Sequence, residues 1–186
     1  MSGLPRKAKS GTVWNYNTNE TNLIGELLSR AIDQDLSAYL ENKIWQPYGM
    51  ESEANWMLTY ENGLEYGGCC LSATLRDYAR LGLFVLDELK KAPDDDSVLP
   101  PGWMRESLSP APAFNGYGYF WWLLGDGIYA AEGIFGQVIW IDSKNNLVIA
   151  LQSSWRQAWS DSLEAEWMAF MGALSKELLG GFDKKV

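Results

Sequence analysis

The sequence predicts an α+β fold in which helices pack on an antiparallel sheet. Apolar residues recur at helical spacing through most of residues 1–112. After Pro112 the texture changes to short strand-like runs separated by Gly-Asp-Gly and Ser-Lys-Asn-Asn turns. Helical spacing then returns once, from Leu163 to Leu178. A chain of 186 residues favours one domain. Its parts are a mainly helical stretch, 1–112, and a stretch of strands with a terminal helix, 113–186.

Residues 1–13 read as an irregular lead-in. From Thr21, the residues Leu23, Ile24, Leu27, Leu28, Ala31 and Ile32 form one apolar helix stripe. Asp33-Gln34-Asp35 breaks that helix, and Asp35 is placed to cap a second one with Leu36, Tyr39, Leu40 and Ile44 on its inner face. Pro47 and Gly49 stop it. "NWMLTYENG" and "LEYGGCCLSA" follow, where Gly67-Gly68 suggests a tight backbone passage. Thr74 to Glu88 reads as a helix: Thr74 and Asp77 have the spacing of a capping box, and Leu75, Tyr78 and Ala79 open its buried stripe. Asp77 and Arg76 fit a cap and a surface charge better than an acid–base pair. "KKAPDDDS" is a solvated loop, and "PPGWMRESL" a short helix with proline at its start. "YGYFWWLL", "IYAAEG", "QVIWID" and "LVIALQSS" are consecutive antiparallel strands. Leu163, Trp167, Phe170, Met171, Leu174 and Leu178 mark the last helix, which Gly180-Gly181 is expected to close.

The chain is 47% hydrophobic and 21% charged, an ordinary globular balance, with ten Trp, nine Tyr and six Phe. Most of these rings serve as core, Trp121, Trp122 and Trp140 among them, and the rest are available to line an apolar pocket. The net charge of −9, with no basic cluster beyond "PRKAK", speaks against nucleic acid and anionic membrane surfaces as partners. No apolar run reaches the roughly 18 residues that span a bilayer, and "MSGLPRKAKSG" lacks the apolar stretch of a signal peptide. The compartment stays unassigned. Cys69 and Cys70 are neighbours, a spacing that disfavours a mutual disulfide, and read as two small buried side chains. There is no histidine, which removes the usual general base and the commonest metal ligand. A Ser-His or Cys-His pair within the chain is excluded. Neither metal-ligand spacing nor a phosphate-cradling glycine loop is present, so no metal and no cofactor is expected.

Four stretches together resemble the penicillin-recognising serine hydrolases, a family that includes class C β-lactamases, β-lactamase-like esterases and 6-aminohexanoate-dimer hydrolases. "GTVWNYNTNETNLIG" is similar to a Gly-Thr turn, a Tyr-x-Asn element and a following helix, with Tyr16 on the tyrosine and Thr18 where asparagine is usual. "KIWQPYGME" resembles an I-x-x-P-x-G-M helix end. "GGCCLSATLRDYARLGLFVL" resembles a glycine pair leading into a Thr-x-x-Asp-x-x-Arg-x-Gly helix. "YGYFWWLL…AAEGIFGQVIWID…LVIALQSSW" resembles the C-terminal strands, and "EGIFGQ" is closest to the dimer-hydrolase and esterase branch. The implied architecture is a partial β-lactamase/transpeptidase-like fold.

The resemblance implies a cofactor-free hydrolase of small-molecule esters or amides acting through an acyl-serine, with a Ser-x-x-Lys pair on one helix face. It implies that Tyr16 relays the proton to the leaving group. The Lys-Thr-Gly position falls on Ala131-Glu132-Gly133, and the N–H of Ile134 would be one oxyanion donor. Thr18, Glu132, Gly133 and Phe135 would line the substrate pocket. Absence of the lysine at that strand argues against carboxylate-bearing β-lactams as preferred substrates. No serine in the 186 residues has lysine three positions on, so the nucleophile is not in this sequence. The chain reads as the C-terminal half of such an enzyme, inactive alone, its N-terminal half missing through a truncated gene, an incompletely delimited gene or separate encoding, and that half is the candidate partner. The rival reading is a non-catalytic binding module derived from the same fold, using an exposed apolar surface.

Overall fold

A computed structural model of the protein describes residues 5–92 and 95–182. Pro93 and Asp94, where the aspartate run begins, lie outside the described residues. The chain divides into two compact units, Met1–Asp77 and Tyr78–Val186.

The first unit opens with helix α1, Thr18–Ile32. Asn17 caps it, its side chain accepting from the N–H of Asn19, and Asp33 ends it in the left-handed region at φ 53°. The helix is turned the opposite way from what its apolar stripe suggests. Gly25 and Ser29 are its buried residues, while Leu23, Ile24, Leu27 and Leu28 are exposed, Leu27 to 56%. The cause is a close backbone crossing. A Cβ on Gly25 would lie 2.7 Å from the Cα of Gly67, and one on Gly67 would lie 2.7 Å from the carbonyl oxygen of Thr21. Only a glycine face lets the Gly67-Gly68 segment approach so near, so the small side of α1 goes inward and the leucines go out.

Helix α2, Leu36–Leu40, continues into a π-helical turn, Glu41–Trp45. Asp35 stands at the N-cap of α2, but its side chain makes no capping bond. Glu65 does that work instead: its Oε1 accepts from the N–H of Ser37 at 3.1 Å and from the Ser37 hydroxyl at 2.6 Å. Strands β1 (Asn55–Trp56) and β2 (Leu71–Ser72) pair antiparallel, with a bridge between Leu58 and Glu65 inside the hairpin.

Helix α3, Leu75–Lys90, starts on the expected box: the N–H of Asp77 donates to Thr74 Oγ1 at 3.2 Å, and the Thr74 hydroxyl donates to Asp77 Oδ2 at 2.8 Å. Asp77 is wholly buried and also accepts from the N–H groups of Glu51 and Ser52. Arg76 pairs with Glu51 at the surface. Leu75 is 42% exposed, contrary to the expected stripe; the buried face begins at Asp77 and runs through Gly82, Phe84, Val85 and Leu86. The box turns Asp77 inward, which puts Leu75, two residues earlier, on the outer side.

In the second unit, helix α4 is Trp103–Ser107, with Gly102 as N-cap; the prolines stand before the cap rather than in the first helical position. Strands β3 (Trp122–Gly125), β4 (Ile128–Glu132), β5 (Val138–Asp142) and β6 (Leu147–Leu151) form one antiparallel sheet in sequence order. Helix α5, Asp161–Phe182, runs through Gly180-Gly181 instead of ending there. Its Trp167 and Met171 pack on Ala130, Val138 and Trp140, with the Trp140 and Trp167 rings edge to face at 6.1 Å. The opposite face carries Ile139 and Val148, against which Gly82 of α3 fits; a Cβ there would lie 2.5 Å from Val148 Cγ1. The sheet is thus covered on both sides.

Candidate active site

Tyr16 and Thr18 belong to the first unit, and Glu132, Gly133, Ile134 and Phe135 to the second. Tyr16 sits one residue before the N-cap of α1. It is 57% exposed, and its ring lies 6.3 Å from that of Trp14. Asn17, the middle residue of the Tyr-x-Asn-like element, is the helix cap; the Asn17–Glu20 spacing is the sequence signal for it. Thr18 opens the helix and packs on Gly68, where a Cβ would come within 2.8 Å of the Thr18 methyl. Gly68 also donates its N–H to Asn22 Oδ1 at 2.8 Å.

A cleft of about 280 Å³ lies in this unit between α1 and the hairpin, lined by Asn19, Asn22, Leu23, Glu65 and Tyr66 among others. That is small for a ligand pocket of drug size. Burial pushes the Glu65 carboxyl up, but hydrogen bonds from Ser37 and from neighbouring backbone N–H groups outweigh this and hold it below the ordinary carboxylate range.

The Gly133–Gln137 turn of the second unit is braced from several sides. The N–H of Gly133 donates to the Gln137 carbonyl at 2.8 Å, and Gln137 Oε1 accepts from the N–H of Phe135 at 3.1 Å. The segment after β6 clamps it: Trp155 N–H donates to the Phe135 carbonyl and Trp159 N–H to the Ile134 carbonyl. Gly136, at φ +83°, lies under the Trp155 indole, where a Cβ would sit 2.2 Å from a ring carbon. Trp155 and Trp159 were not singled out by sequence; their signal was the aromatic pair in "SSWRQAW" just past the last strand. With its carbonyl so held, Ile134 is 57% exposed, and its N–H has no acceptor among the described residues. An exposed backbone donor on a braced turn is a pre-oriented partner for a developing oxyanion.

Strand alternation separates Ala131 from Glu132. Glu132 lies on the sheet face of Ala130 and Val138, toward α5, and Ala131 lies on the face of Ile139. Burial, and then the charge of Glu164 on α5, raise the Glu132 carboxyl to about 7. Glu164 is raised in turn, by burial and by Asp161.

The adjacent cysteines depart from expectation. Cys69 and Cys70 are joined as a disulfide, and Cys69 is exposed rather than buried. The turn that follows the glycine pair, with Cys70 at φ 77°, brings the two sulfurs together. Among the described residues no helix is long and apolar enough to cross a membrane.

A family model described as Beta-lactamase matches residues 1–170. A 6-aminohexanoate-dimer hydrolase of Paenarthrobacter ureafaciens is 25% identical over 155 residues, covering 75% of this chain and 39% of that protein. A solved structure from Bacillus anthracis, named for a 6-aminohexanoate-dimer hydrolase, superposes with a TM-score of 0.82 at 24% identity, covering 95% of this chain and 47% of its own. A β-lactamase structure from Mycobacterium bovis has a TM-score of 0.69 at 16% identity, covering 91% of this chain and 66% of its own. The chain spans less than half the length of the first two relatives.

Proposed function

This chain belongs to the β-lactamase family and has that family's hydrolase fold, and from this premise we propose that it supplies the tyrosine and the oxyanion strand of a serine hydrolase acting on small-molecule esters or amides. The observation that carries this reading is the Ile134 N–H, exposed and without an acceptor among the described residues on a turn braced by Trp155, Trp159 and Gln137. It is the donor required to hold the carbonyl oxygen as it becomes an oxyanion. Tyr16 is the proton-relay group, taking the serine proton and passing it to the leaving group. Thr18, Glu132, Gly133 and Phe135 are the proposed pocket residues. No Ser-x-x-Lys occurs in this sequence, and the family pattern puts the serine and lysine in an N-terminal half. These 186 residues alone, without that serine, are expected to form no acyl-enzyme.

The test is hydrolysis of p-nitrophenyl acetate by the purified chain, alone and mixed with a polypeptide carrying the Ser-x-x-Lys region of a family relative. Alone, the chain shows no burst. In the mixture a burst appears and is lost on Tyr16→Phe. A burst from the chain alone refutes the need for a second polypeptide, and a reconstituted burst indifferent to Tyr16→Phe refutes the relay.

The outward stripe of Leu23, Ile24, Leu27 and Leu28 favours a second reading, a non-catalytic binding module. That reading requires the complementing polypeptide to bind without any gain of turnover.

A further inference from the structure

We propose that Cys69–Cys70 is an exchangeable dithiol site: small dithiols reduce it in the folded chain, and the reduced pair then chelates a trivalent arsenical. The bond joins consecutive residues, so it closes no loop of chain and contributes almost none of the denatured-state entropy that makes a disulfide a staple. Its place is at the surface, with Cys69 exposed and Cys70 half-buried. An attacking thiolate can therefore reach a sulfur without unfolding the unit.

The turn does not depend on the bond for its shape. The Cys69 carbonyl accepts from the Trp56 indole N–H at 3.0 Å, and the Cys70 carbonyl accepts from the N–H of Met57 at 3.1 Å. On one side Gly68 is tied to Asn22, and on the other Leu71 pairs with Trp56 across the β1–β2 ladder. Once the bond opens, these contacts keep both thiols on one turn, side by side and facing the same reagent. That pre-arrangement favours chelation over two independent reactions.

The chemistry balances in two steps. A dithiol gives two electrons and two protons to the protein disulfide and leaves as its own cyclic disulfide. Phenylarsine oxide then forms two As–S bonds, and its oxygen departs as water with both thiol protons. No other cysteine in the sequence competes.

Intact-mass analysis of the full chain tests this with N-ethylmaleimide and phenylarsine oxide. The untreated folded chain is expected to take up no maleimide. After dithiothreitol and its removal it takes up two labels, and prior phenylarsine oxide adds one arsenical and blocks both. In Cys70→Gly, which suits the left-handed position, Cys69 takes one maleimide without reductant and retains no arsenical. Two labels on the never-reduced chain, a disulfide-linked dimer on a non-reducing gel, or failure of the arsenical to protect the reduced pair would each overturn the proposal. Circular dichroism of the reduced chain is expected to match the oxidised form, and its loss would overturn the claim that the turn persists.

Discussion

Gly136→Ala probes the turn that presents the Ile134 N–H. Two costs add at this position. A residue with a β-carbon at φ +83° is in the left-handed region, which costs roughly 1–2 kcal/mol. The new methyl also falls 2.2 Å from the Trp155 ring, well inside contact distance, and displacing a packed indole costs about 1–3 kcal/mol. The sum is about 2–5 kcal/mol. At about 2–4 °C per kcal/mol for a chain of this size, Tm falls by roughly 4–20 °C. Gly125→Ala is the matched control, since its φ is +87° with nothing within 4 Å of the new Cβ. It carries the backbone cost alone, about 1–2 kcal/mol. Thermal unfolding followed by circular dichroism compares the two, and Trp155→Ala combined with each isolates the contact. The Gly136→Ala and Trp155→Ala pair is expected to couple by at least about 1 kcal/mol, the distant pair not at all. If Gly136→Ala is no worse than Gly125→Ala, the indole does not brace the turn and the pre-orientation argument for Ile134 fails.

Glu132 is raised above its unfolded value, so the folded state binds the extra proton and its stabilising contribution is present at low pH. That contribution is lost as pH rises from about 4.5 to about 7, and Glu132→Gln should flatten the fall in unfolding free energy across this window, measured by urea unfolding, by of order 2 kcal/mol at pH 8 after allowing for partial exposure; an unchanged pH profile refutes the burial of its charge. Asp77→Ala leaves the N–H groups of Glu51 and Ser52 and the Thr74 hydroxyl without their carboxylate, an expected loss of about 3–5 kcal/mol in urea unfolding. Thr74→Ala, which removes only the cap, costs about 1 kcal/mol, and equal losses for the two variants would contradict this account. Leu27→Lys, on the outward stripe, is expected to change stability by no more than about 0.5 kcal/mol while reducing self-association in size-exclusion chromatography. Gly25→Val, on the inward face against Gly67, should be severely destabilising; the reverse order would restore the leucines to the core.

The sheet was legible because its strands are local: each is bounded by glycine, asparagine or aspartate turns and pairs with the next, but the run "YGYFWWLL" folds back on itself through a Tyr117–Trp122 bridge, with Phe120 at φ 64°, and becomes strand only at Trp122. The Thr74–Asp77 box was legible for the same reason, since capping is settled within one turn of chain. The orientation of α1 was not. Periodicity shows which side of a helix is apolar, but Gly67 and Gly68 decide which side is buried, and they lie some forty residues away. The Glu65 cap on α2 was hidden similarly, because a side chain from the hairpin replaced the adjacent Asp35. The bond between Cys69 and Cys70 follows from a turn that adjacency alone does not reveal. Of the candidate site, sequence located the glycines around Ile134; the backbone N–H groups of Trp155 and Trp159 that clamp that turn, and the Trp155 indole over Gly136, come from beyond β6 and required the fold.

The meander has a consequence for how such a chain is made. Spatial order equals sequence order from β3 to β6, and neighbouring strands are joined by short turns. No strand waits for a distant segment, so pairing can proceed in the order in which the ribosome releases the chain, and loop closure is cheap at every step.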